Sequence, residues 1–152
     1  MATLNQTKKH TILLQELIDS GFYNETRFFR VVDHFVVQWG INGDPSVSKK
    51  WAKNEIPDDV PNIQSNLKGT ISFASAGPNT RTTQVFINLV DNTRLDDKFM
   101  PIAEIVSGFE EVLRINNEYQ QLPDQSKIQS EGNVYLEKEF PNLSYIVTMN
   151  SA

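Results

Sequence analysis

The sequence predicts a mainly β fold, an antiparallel barrel or sandwich with one or two helices packed against it. Three observations point there. The chain opens on an amphipathic segment. Several β-prone runs follow, separated by turns rich in Gly, Asn, Asp and Pro. The resulting order is helix, strands, helix, strand.

Residues 3–20 read as one helix, because Leu4, Ile12, Leu13, Leu17 and Ile18 recur near helical spacing and Gly21 supplies a stop. Val31 to Trp39 reads as a strand pair with Asp33-His34 at the turn. Residues 41–68, with Pro45, Pro57, Pro61 and several charges, read as a long loop. "GTISFASAGP" (69–78) is a strand ending in a turn, "TQVFINLV" (83–90) a second and "MPIAEIV" (100–106) a third. "SGFEEVLRINNEY" (107–119) reads as a short helix starting at Ser107, with Glu110 placed for a capping box. "LSYIVTM" (143–149) is a final strand.

At 152 residues the chain is long enough for one ordinary domain, so residues 1–152 are read as a single unit. The formal charge is −5, and the longest basic runs are Lys8-Lys9 and Lys49-Lys50, too short for a phosphate-binding patch. A nucleic-acid partner is therefore not expected. The absence of cysteine removes disulfides, thiolate metal sites and a thiol nucleophile. No stretch is long and apolar enough to span a membrane, and the N-terminus has no signal-type apolar core. No membrane partner is expected, and the cytoplasm is the default location. No phosphate loop or dinucleotide fingerprint occurs. His10 and His34 lack metal-ligand spacing, and His34 is expected in a turn in water. The acidic pairs Asp58-Asp59, Asp96-Asp97 and Glu110-Glu111 read as solvated surface. Any chemistry must then run on hydrogen bonds and desolvation, with no metal or cofactor.

One stretch resists a purely structural reading. "RFFRVVDHFVVQWG" (27–40) is apolar and β-prone, yet Arg30 and Gln38 interrupt it. A lone strand arginine is most simply an exposed edge residue or an ion-pair partner. Alternation puts Phe29 and Val31 on the opposite, inward face. Trp39 and Trp51 read as packing residues, and Phe35 and Phe86 could equally be plain core.

Three blocks carry a resemblance. "FFRVVDHFVVQWG" resembles the Phe-x-Arg-Val-x-x-x-Phe-x-x-Gln-x-Gly signature of the cyclophilins, the peptidyl-prolyl cis–trans isomerases. "GTISFASAGPNTRTTQVFINL" (69–89) and "RLDDKFMPIAEIVSGFEEV" (94–112) resemble the family's second and third blocks, in family order. The resemblance covers residues 3–149, with a bacterial-type loop at 41–68 and a bacterial-type tail. It implies a closed antiparallel barrel capped by two α-helices, with a groove on its outside, and an isomerase acting on X–Pro bonds in proline-containing polypeptides.

Carried over residue by residue, the resemblance implies catalytic roles for Arg30 and Gln38. It implies substrate binding by Phe35, Val36, Gln84, Phe86, Leu95 and Phe99, and by the backbone of Ala74, Ser75 and Ala76. Some positions depart from the family pattern. Val36 stands where methionine is usual, and Phe29 where a histidine often precedes the arginine. Ser75 stands for asparagine, Phe99 for histidine, and Arg94 for a tryptophan that binds ciclosporin, which implies weak ciclosporin binding. Members usually begin with a strand hairpin, whereas this chain starts almost directly at the helix. The barrel is thus expected to be incomplete at the N-terminus, with an edge open to self-association. A truncated reading frame, a barrel completed by a partner and a lineage with an opened barrel all fit. Three functions stay open: an isomerase, a proline-peptide binding module with weak or no turnover, and a partner-dependent fragment.

Overall fold

The computed structural model describes residues 2–58 and 64–152. Helix α1 spans Ala2–Asp19 and buries Leu13 and Leu17, while Ile12 faces solvent; the Leu4 side chain lies outside the described residues. The helix ends in paired return bonds, Phe22 N to Leu17 O at 3.0 Å and Gly21 N to Ile18 O at 2.9 Å.

Five short strands follow: β1 (Arg30–Val32), β2 (Val36–Trp39), β3 (Thr70–Phe73), β4 (Val85–Asn88) and β5 (Pro101–Glu104). They form one antiparallel sheet in the order β1-β2-β4-β3-β5. Period-2 alternation divides its faces. Val37, Trp39, Ile71, Phe73, Val85 and Ile87 share one face, and Trp39, Phe73, Val85 and Ile87 form a core with Leu13, Leu17, Phe22 and Tyr23. Each such side chain contributes about 1.5–3 kcal/mol on burial. Tyr23 is fully buried, so its hydroxyl needs a partner; it donates to Thr83 O at 2.8 Å, and burial pushes the phenol up from its ordinary value. Trp51 packs against the same core, His34 is exposed in the β1–β2 turn with φ +55°, and Phe29 and Val31 are buried as alternation requires.

The sheet is open, with β1 and β5 as its two edges, in keeping with a barrel expected to be incomplete. Other expectations are corrected. The stretch read as loop contains helix α2, Pro45–Trp51. Its Asp44 cap accepts from Ser46 N at 2.8 Å, and Pro45 occupies the first turn, where its missing N–H costs nothing; Asp59 and Pro61 lie outside the described residues. The helix expected from Ser107 shrinks to α3, Phe109–Val112, with no side-chain cap. Gly108, at φ +80°, moves the start past Ser107, and Glu110 and Glu111 fall in the first turn, where the helix dipole favours acids. The final strand reduces to a single bridge between Tyr145 and Arg27. Its partner segment includes Glu25 at φ +61°, a left-handed residue that prevents a regular ladder.

The tail forms two more helices, α4 (Gln125–Glu131) and α5 (Asn133–Glu139). Ile128, Tyr135 and Leu136 build a second core with Phe29, Ile41 and Leu143. Among the described residues no helix is long and apolar enough to cross a membrane.

Gly132 joins α4 to α5 at φ +63° and ψ −144°, and a Cβ there would stand 2.0 Å from Gly43 O. Gly132→Ala should therefore destabilise the fold by about 3 kcal/mol. A Cβ on Gly108 meets nothing within 4 Å, so Gly108→Ala should cost only about 1–2 kcal/mol of backbone strain. Urea unfolding of the two variants checks the difference.

Candidate active site

The face of the sheet turned away from α1 carries a row of side chains set by register. Arg30 on β1 pairs with Gln38 on β2, Gln38 with Phe86 on β4, and Phe86 with Ser72 on β3. Val36 lies two residues along from Gln38, on the same face. A groove of about 580 Å³ opens over this row. Every position that the resemblance implied lines it: Arg30, Phe35, Val36, Gln38, Ala74, Ser75, Ala76, Gln84, Phe86, Leu95 and Phe99.

The polar part is a chain of side chains. Arg30 Nη1 donates to Gln38 Oε1 at 3.2 Å, and Gln38 Nε2 donates to Gln84 Oε1 at 2.8 Å. Arg30 Nε donates to Gln121 Oε1 at 3.3 Å. Partial burial lowers the Arg30 pKa from its ordinary value, yet a guanidinium starts so high that it stays charged at neutral pH. The guanidinium lies 5.5 Å from the centre of the Phe35 ring.

The apolar part is a slot beside it. Phe86 and Phe99 meet edge to face, with centroids 5.4 Å apart, and Val36 and Phe86 are buried. Phe35, Leu95 and Phe99 are partly open to the groove. The reading of Phe35 and Phe86 as plain core is thereby set aside, since both face the groove. Arg94, exposed, lays its guanidinium 4.7 Å from the Phe35 ring centre.

Beneath the slot sits a buried polar network that sequence reasoning missed. Asn66, Ser72 and Asn88 are fully buried, and Asn92 nearly so. Asn66 Oδ1 accepts from Ser72 Oγ at 2.9 Å and from Asn88 Nδ2 at 3.2 Å. Asn92 Nδ2 donates to Asn88 Oδ1 at 2.9 Å and to Phe35 O at 3.0 Å. Asn66 Nδ2 donates to Phe99 O at 2.8 Å. The network thus holds the main chain of two slot residues. The groove's remaining lining, Ala52, Glu55, Thr80, Thr82 and Gln125, was also missed. Thr80 and Thr82 lie inside the second signature block, where spacing could have found them; the α2 and α4 contributions carried no local signal.

Two acidic pairs read as solvated surface are partly structural. Asp58 takes the guanidinium of buried Arg81. Asp96 accepts from Ser65 Oγ at 2.6 Å, from Asn66 N at 2.7 Å and from Asn66 Nδ2 at 2.9 Å. Desolvation works to raise the Asp96 pKa, but these bonds to the charged form outweigh it and hold the carboxyl below its ordinary value. A lowered folded-state pKa stabilises the fold above the unfolded value, about 3.9 for Asp, and that contribution is lost as pH falls through the folded value. Asp96→Asn should flatten the acid limb of the stability curve below about pH 4. Thermal melts of wild type and variant across the acid range check this.

Comparison with known proteins agrees with this geometry. Residues 5–136 match the family model described as cyclophilin type peptidyl-prolyl cis-trans isomerase/CLD. Peptidyl-prolyl cis-trans isomerase B of Escherichia coli is 35% identical over 104 residues, covering 62% of this chain and 63% of that protein. Peptidyl-prolyl cis-trans isomerase A of Dickeya dadantii is 37% identical over 102 residues, covering 62% and 53%. The chain thus spans between 53% and 63% of the length of these two relatives. A Cryptosporidium parvum cyclophilin type peptidyl-prolyl cis-trans isomerase, crystallised in the presence of the dipeptide Ala-Pro, superposes with a TM-score of 0.61 at 25% identity, over 74% of this chain and 73% of that one. With a family model spanning most of its length and a sheet that carries the signature residues into one groove, this chain belongs to the cyclophilin-type peptidyl-prolyl cis-trans isomerase family.

Proposed function

We propose that the chain, acting as one domain, is a peptidyl-prolyl cis–trans isomerase for X–Pro bonds in proline-containing polypeptides. The observation that carries this reading is the tethered guanidinium of Arg30 beside the slot of Phe35, Val36, Phe86, Leu95 and Phe99. The names of the relatives support it, as does the Ala-Pro dipeptide present with the C. parvum protein.

The reaction makes few demands. An X–Pro bond prefers trans by only about 0.5–1 kcal/mol, and a resonance barrier of roughly 18–20 kcal/mol makes its rotation slow. No heavy-atom bond breaks. In the twisted transition state the proline nitrogen regains a lone pair, to which a guanidinium can donate. Arg30 then binds the twisted state better than either planar one, which is the condition for catalysis. Gln38 orients Arg30 through its Oε1. The slot holds the pyrrolidine ring while the preceding carbonyl swings, and its apolar walls strengthen the arginine's hydrogen bond. Main-chain groups of Ala74, Ser75 and Ala76 bind the peptide along the groove.

Arg30→Ala should lower kcat/KM on an X–Pro peptide about 100-fold or more, as removal of a preorganised donor does. Arg30→Lys keeps the charge but loses the fork, and should recover little of it. Gln38→Ala, which frees the guanidinium without removing it, should lower kcat/KM less than Arg30→Ala. A protease-coupled isomerisation assay reads all three. Wild-type rates no faster than those of Arg30→Ala would refute the isomerase; peptide affinity without acceleration would make the chain a binding module. With Arg94 laid over Phe35, ciclosporin should inhibit more weakly than the nanomolar range, which a titration in the same assay checks.

A further inference from the structure

The groove lining carries charge of both signs. Arg30 lines the slot end, with Arg94 over Phe35 beside it. Glu55, the one carboxylate among the described lining residues, is brought near Thr80 and Thr82 by the Ile56–Arg81 bridge beside it. Glu55 is exposed, and among the described residues no hydrogen bond or ion pair engages it. Such a residue in a free loop would be one more solvated acid.

Glu55 is not in a free loop. Its segment follows α2 and is stitched to the turn between β3 and β4 at several points. Asn54 N donates to Trp51 O at 3.0 Å, closing the turn out of the helix. Ile56 N donates to Arg81 O at 3.0 Å, an antiparallel bridge. Asp58 N donates to Asn79 Oδ1 at 2.7 Å. The Arg81 guanidinium, 2% exposed, donates to the Asp58 carboxylate and to Lys98 O, with its centre 6.0 Å from that of the Phe99 ring. A buried guanidinium is tolerated only when paired and hydrogen-bonded, and removing one partner is costly. Arg81 therefore clamps the Glu55 segment to the same turn, and braces the Phe99 wall from behind.

We propose that Glu55 is a specificity-determining residue: it selects substrates carrying a lysine or arginine near the proline, on the side of the peptide that runs past Thr80 and Thr82. The inference rests on the isomerase reading of the groove and adds the substrate class. Among the described residues the carboxylate has no cation paired with it, so a substrate's basic side chain completes the pair. The guanidinium groups of Arg30 and Arg94 both lie against the Phe35 ring and repel a basic side chain there, so the preference has a direction along the peptide. Exposed ion pairs are modest, so the discrimination amounts to about three- to five-fold and weakens with salt.

The test is a set of short peptides with one proline and Lys, Ala or Glu placed one or two positions to either side. On one side only, wild type should favour Lys over Glu by about three-fold or more in kcat/KM at low salt. The ratio should approach one near 1 M salt, where the screening length is about 3 Å. Glu55→Gln should abolish the ratio and Glu55→Lys should invert it; both lie on the exposed rim and should fold. An unchanged ratio in Glu55→Lys overturns the inference and leaves the isomerase reading intact. If wild type accelerates none of the peptides, the isomerase reading falls, and the Lys-to-Glu ratio of peptide Kd values in wild type and Glu55→Lys, from NMR titration, decides for or against Glu55 alone.

Discussion

The groove depends on a set of amide hydrogen bonds buried under it. Asn66, Asn88 and Asn92 would each be expensive in an apolar interior without partners. Together they satisfy one another, and further donors reach Asp96, Thr70 and the main-chain oxygens of Phe35 and Phe99. Phe35 and Phe99 lie on different connections, one after β1 and one before β5; a backbone bond from Leu89 N to Phe35 O at 2.9 Å ties the first to β4. The network ties both main chains together, and Asp96 anchors it through Ser65 and Asn66. A polar layer of this kind is directional where an apolar one is not, so the slot acquires a defined width.

On the other face the physics is ordinary. α1 covers the sheet with Leu13 and Leu17, and Phe22 and Tyr23 complete the packing as the chain turns back. The division of labour follows the pleat: Val31, Val37 and Trp39 feed the core, and Arg30, Val36 and Gln38 feed the groove. Arg30 and Gln38 interrupt an apolar run because their face has no core to enter. In that sense the guanidinium in the strand is neither a simple edge residue nor an ion-pair partner; its bonds go to two glutamine amides.

The five strands and the first helix are legible in the sequence because their signals are local. Runs of Val, Ile and Phe bounded by turn residues mark β1 to β5, and apolar spacing with Gly21 marks α1. The signature blocks carried the lining of the slot. What escaped was either short or non-local. α2 hid among prolines, although Asp44 followed by Pro45 is a helix start. The buried asparagines look like turn residues until cross-strand register brings Asn88 over Asn66. The strand expected over 143–149 is reduced to the single Arg27–Tyr145 bridge where left-handed Glu25 interrupts pairing. The helices α4 and α5 depend on a Gly43–Gly132 approach that no local pattern announces.

The tethering of Arg30 at both Nε and Nη1 has a thermodynamic side. A free arginine side chain samples many rotamers, and fixing it on ligand arrival carries an entropic penalty. Here Gln38 and Gln121 impose that loss during folding. Among the described residues the second terminal nitrogen, Nη2, makes no hydrogen bond, so the groove holds a free donor whose orientation is settled before any ligand arrives.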